Sequence, residues 1–158
     1  MNFSKKKVSQ VKTSGFARCF GSSNLVTDFK AICANSSAVR EWDSNGTVFG
    51  YRSEDQNFQA GEFGHNDFYP VVIAGAFSNS KLNGKSALKS MLLLDEIRCR
   101  LAESFSLKTY KIDHVVHGAI ASIITYGIIL NASDEQIEHA VGMFVAHHIP
   151  FRAIRAGH

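Results

Sequence analysis

The chain has 158 residues, 45% of them hydrophobic, and a formal net charge of +3, a length that suits one domain with a sizeable core. Lys5, Lys6 and Lys7 alone could account for that charge, and no face interleaves Lys and Arg with aromatics, so a nucleic-acid-binding surface is excluded. Cys19, Cys33 and Cys99 form no CxxC pair, which argues against a disulfide framework and against a thiolate-held iron–sulfur cluster.

Residues 1–27 carry no clear period and are rich in Ser, Lys and Gly, so they are expected to be disordered or to act as a targeting segment. Within them Met1 to Phe20 is basic and free of acidic residues, a composition shared by mitochondrial transit peptides and solvated termini. Folding is expected over residues 28–158. A short amphipathic helix is expected from Asp28 to Trp42 on Phe29, Ile32, Cys33 and Val39. Asp43 to Gly64 reads as a loop, with Asn45-Gly46, Gly50, Asn57, Gly61 and Gly64 as turn signals. Asn66 or Asp67 is the expected cap of the next helix, and Pro70 fits its first turn, where a missing N–H costs little. Ser86 to Phe105 reads as a long amphipathic helix with Leu94, Ile97, Leu101 and Phe105 inward and Glu96, Arg100 and Glu103 toward water. Asp113 is the expected cap of a helix to about Leu130, with small residues Gly118, Ala121, Ser122 and Thr125 along one stripe. Ser133 and Gln136 have capping-box spacing, and Pro150 ends the helix that follows. The most apolar stretch, Ile112 to Leu130, is interrupted by His114, His117, Ser122 and Thr125, whereas a membrane span needs about 20 mostly apolar residues. The fold class that results is all-α, with four or five helices and neither internal repeats nor a Gly-rich phosphate loop.

Three constellations can carry chemistry. Asp43, Ser44 and Thr47, followed by His65 and Asp67, place acids, hydroxyls and an imidazole in and around one Gly-rich loop. Elimination of water needs a base for a proton beside a carboxylate and an acid for the departing hydroxyl, and Asp and His can divide that work. Helix-terminal aspartates and an ordinary loop histidine explain the same residues. His114 and His117 stand three apart, on one helical face beside Asp113. They could hold a metal, but no zinc-motif spacing surrounds them and buried structural histidines are commoner, so no metal is expected. Arg152 and Arg155 can grip carboxylates bidentately, or can be surface arginines at a helix start.

The segments VREWDSNGTVFG (Val39 to Gly50), GEFGHNDFYPVVIAGA (Gly61 to Ala76), LLLDEIRCRLAESFSLKTYKIDHVVHGAIAS (Leu92 to Ser122) and VAHHIPFRAIRAGH (Val145 to His158) resemble the helical domain of the 2-methylcitrate dehydratases. The wider family includes cis-aconitate decarboxylase. The resemblance spans roughly Asn35 to His158 and implies a hydro-lyase of propionate breakdown that needs no cofactor. It places the family's catalytic groups on Asp43, Thr47, His65 and His114, and its substrate-binding arginines on Arg152 and Arg155. It also implies a tricarboxylate substrate, a homodimer and, for a eukaryotic relative, the mitochondrial matrix; otherwise the cytoplasm is expected. Two features of the family have no counterpart in the sequence: a lysine shortly after the arginine segment, and an α/β lid domain. A partial helical domain is therefore expected. The alternatives are a non-catalytic remnant that associates with a full-length paralogue, or a relative acting on another polycarboxylate.

Overall fold

The computed structural model describes residues 16–42, 44–50 and 62–156. Among these the fold is mainly helical: six α-helices and two small antiparallel hairpins. The first hairpin, β1 (Ala17–Arg18) and β2 (Leu25–Val26), lies where the sequence shows no period. Its order comes from tertiary contacts. Ala17 and Ala31 are fully buried together, with Ala74 beside them. Asn35 donates from Nδ2 to the Arg18 carbonyl at 3.0 Å and accepts the Phe20 N–H at 2.7 Å, fixing the hairpin to α1 (Asp28–Arg40).

The expected 43–64 loop holds a second hairpin, β3 (Gly46–Phe49) with β4 (Glu62–His65). Gly46 sits opposite His65, and a Cβ there would stand 2.3 Å from the Gly64 carbonyl oxygen, so the pairing requires glycine. Neither strand alternates cleanly in hydrophobicity, which is why the sequence reads as loop. A 3-10 turn at Asn66–Phe68 leads into α2 (Tyr69–Ser78). Neither Asn66 nor Asp67 caps α2, whose entry residue Phe68 has helical dihedrals and no side-chain cap; Pro70 does occupy the first turn.

Asn83 caps α3 (Gly84–Ser104) by accepting the Ser86 N–H at 2.9 Å. Leu94 is buried and Ile97 packs against the core as expected, but Phe105 is exposed, and the buried stripe of α3 continues instead through Arg98 and Ala102, at i, i+4 and i+8. Leu94 joins Val72, Ala121 and Ile129 in the core between α2, α3 and α4 (Val115–Ile129). Gly118 in the small-residue stripe of α4 makes room for the 3-10 turn, since a Cβ there would lie 2.2 Å from the Phe68 ring. Asp28 on α1 accepts from Tyr126 on α4 at 2.6 Å and also from Ser78 on α2, tying three helices at one end.

In α5 (Asp134–His147) the capping box forms in full: Ser133 Oγ accepts the Gln136 N–H, and the Gln136 side chain accepts the Ser133 N–H at 2.9 Å. No residue of α5 is buried, so its N-terminus relies on local bonds more than on packing. Ser133→Ala should therefore cost about 1 kcal/mol, read as a lower urea midpoint and earlier amide exchange in the first turn of α5. An unchanged exchange profile would show that the cap is dispensable. After Pro150 the chain forms a short α6 (Arg152–Ala156). No helix among the described residues is long and apolar enough to cross a membrane.

Candidate active site

His65 ends β4 and is 4% exposed. His114 is the N-cap residue of α4, with a side chain 10% exposed. Far apart in sequence, their rings stand with centroids 5.7 Å apart. Two elements make the meeting possible. The β3–β4 hairpin delivers His65 into the 3-10 turn, and a second 3-10 turn at Leu107–Tyr110 delivers the chain to the start of α4. That second turn is pinned by Glu62 of β4, whose buried carboxylate accepts the Lys108 N–H at 3.2 Å and the Ser106 hydroxyl at 3.3 Å. Lys111 then adopts a left-handed conformation, φ 57°, which turns the backbone toward α4.

Asp113 is 2% exposed and lies with Oδ1 3.3 Å from His114 Nδ1. The same oxygen accepts the Val115 N–H at 3.1 Å, so Asp113, one residue before the N-cap His114, binds a first-turn N–H while its carboxylate also faces the imidazole. A carboxylate there favours positive charge arriving on the ring. Phe63 packs against His65 with centroids 4.1 Å apart. The post-proline segment joins the same corner: the Asp113 N–H donates to the Pro150 carbonyl at 3.0 Å, the Arg152 N–H donates to the Lys111 carbonyl at 2.8 Å, and Ile112 bridges Phe151. Arg152 is thereby fixed close to the His114 turn in a half-buried position.

Thr47 is not part of this meeting. It is exposed and pairs with Gly64, one register position from His65, so strand alternation puts its side chain on the other face of the hairpin. Asp43 lies outside the described residues, as does the side chain of Arg155, whose backbone belongs to α6. His117, expected as a hydrogen-bonded core histidine, is 2% exposed and has no hydrogen-bond partner for either ring nitrogen among the described residues. It packs edge-on against Phe105 at 5.0 Å. Burial, followed by the nearby Arg98 charge, pushes its pKa down to about 4, so the ring is neutral near pH 7. No group of three or more His, Cys, Asp or Glu that could hold a metal ion occurs among the described residues.

Arg98 is the residue sequence reasoning missed. It is 3% exposed, with its guanidinium carbon over the Phe49 and Phe68 rings at 4.9 and 4.7 Å, and Nη1 donates to the His65 carbonyl at 3.0 Å. The available signal was its place four residues after Leu94 and four before Ala102. Two buried imidazoles, one flanked by a carboxylate, with an arginine segment alongside, can exchange a proton with a polycarboxylate and hold its charge. Residues 3–158 match the family model of the MmgE/PrpD N-terminal domain. The match begins earlier than the four resembling segments and takes in the first hairpin and α1. No solved structure matches the chain.

Proposed function

The chain belongs to the MmgE/PrpD family, and on that premise we propose that it dehydrates 2-methylcitrate to 2-methyl-cis-aconitate. The reaction breaks a C–H bond next to a carboxylate and the neighbouring C–O bond, forms a C=C bond and releases water. In this reading His114 takes the carbon-bound proton. The Asp113 carboxylate, 3.3 Å from its ring, offsets the positive charge that arrives. His65 donates a proton to the departing hydroxyl, which leaves as water. Arg152 holds a substrate carboxylate, with Arg155 as a second candidate for that role. Asp43 remains the alternative base by resemblance, and Thr47 takes no step. The observation that carries the proposal is the 5.7 Å approach of two histidines that are remote in sequence.

A second reading, a non-catalytic chain that associates with a full-length paralogue, draws support from exposed apolar side chains: Leu88 64%, Leu92 70% and Ile154 81%. The matched model is that of an N-terminal domain, so the deciding assay supplies the remainder. The chain is fused to the C-terminal domain of a 2-methylcitrate dehydratase and followed by absorbance of the new double bond. Turnover of roughly 1 per second or faster on 2-methylcitrate is expected. A folded fusion that turns over no polycarboxylate would refute the enzymatic reading.

A further inference from the structure

Arg98 is buried on α3 and belongs to no step of the proposed reaction, yet it is bound to the residue that does. One nitrogen, Nη1, donates both to the His65 carbonyl at 3.0 Å and to Asp95 Oδ1 at 3.2 Å. Asp95 is held in turn by the Tyr69 hydroxyl, whose pKa is raised to about 12, chiefly by burial and then by that hydrogen bond. The guanidinium lies over the Phe49 ring of β3 and over the Phe68 ring of the 3-10 turn. Phe68 is itself seated against Gly118 of α4. Three elements beyond α3 itself, β3, β4 and the 3-10 turn, therefore contact one cation. Burying it costs desolvation, and burial does lower its pKa, an effect opposed by Asp95, Asp67 and Tyr69. A leucine would fill the same core position on α3 without that cost.

We propose that Arg98 is a positioning residue, which fixes the His65 main chain so that its ring meets His114. The proposal rests on the proposed reaction only for the meaning of that geometry. Lysine cannot replace it, because an ammonium lacks the planar guanidinium face that lies over the two phenylalanine rings. The charge has a separate consequence: it helps keep His117 neutral. Arg98→Lys and Arg98→Met therefore separate geometry from charge.

The experiment uses the full chain, isotope-labelled for histidine NMR, with citrate as the probe. In Arg98→Met the cross-peak between the His65 and His114 rings should vanish, the His117 titration should move up, and citrate affinity should fall about 10-fold, the loss of one charged hydrogen bond. In Arg98→Lys the His117 titration should stay low while the cross-peak and affinity are lost. A purely structural role would lower stability and leave the cross-peak, the titrations and the citrate affinity of the folded protein unchanged; that result in Arg98→Met overturns the proposal. Should Arg98→Met not fold, Phe49→Leu decides. It removes one of the two rings that the guanidinium lies over, and an unaltered cross-peak there overturns the proposal while a weakened one supports it. If the wild-type chain binds no citrate, the functional reading fails, and the cross-peak still decides the role of Arg98.

Discussion

His114→Asn in the fused enzyme should lower kcat by about 100-fold or more, the usual loss when a general acid–base group is removed. Asparagine keeps a side chain of similar reach and can still meet Asp113, but it cannot take a proton. KM should change little, since the loss falls on the transition state rather than on substrate binding. His65→Asn should behave alike. The double variant should be only slightly worse than either single one, because two groups serving one proton-transfer sequence fail together. Progress curves on 2-methylcitrate give kcat and KM for all three. Urea midpoints within about 1 kcal/mol of the parent would show that the fold is intact. A His114→Asn enzyme with near-parental kcat would remove the base from the mechanism and return that role to Asp43.

Acid should destabilise the chain through His117. Its folded pKa is about 4 against an ordinary 6.5, so between those values the unfolded chain binds more protons than the folded one. Stability from this ring is complete above about pH 6.5. It declines as pH falls and is lost by about pH 4, where the folded ring also takes a proton. The shift corresponds to about 3 kcal/mol in all. His117→Leu removes the titrating group and two buried nitrogens that have no partner among the described residues. At pH 7 the variant should equal or exceed the parent, since an unsatisfied buried polar group is costly. Near pH 4.5 it should be the more stable by about 2–3 kcal/mol. Urea unfolding of both proteins at pH 7, 5.5 and 4.5, taken as a difference, isolates His117 from the other acidic groups. A constant difference across that range would show that His117 is not the sensor.

The helices that the sequence shows clearly are those with local punctuation. Ser133 and Gln136 state the start of α5 outright, and Pro70 sits where its chemistry places it. The hairpins were hidden because their order is not local. Ala17 is buried by α1 and α2, and β4 is held by Glu62 reaching the 106–108 segment. Of the candidate residues, the resemblance names the two histidines and Arg152, whose rings and backbone N–H respectively lie in one corner of the structure. Their distance was not legible, since it depends on two 3-10 turns and a left-handed Lys111 that no hydrophobic period announces. Thr47 shows the limit of motif transfer: a strand register one residue away from His65 sends its side chain to the other face. Arg98 was masked by charge, because a 3.6-residue period assigns an arginine to the wet side of a helix unless its neighbours at four-residue spacing are read with it.

The most direct test of the site is a titration of the labelled chain with 2-methylcitrate, followed through its histidine resonances and backbone amides. Saturable shifts are expected at His65, at His114 and at the Arg152 amide, with a dissociation constant of about 1 mM or tighter. His139 and His147 on the outer face of α5 should not move. Shifts confined to α5, or none at His65 and His114 up to ~10 mM ligand, would contradict the assignment of the two histidines to a tricarboxylate site.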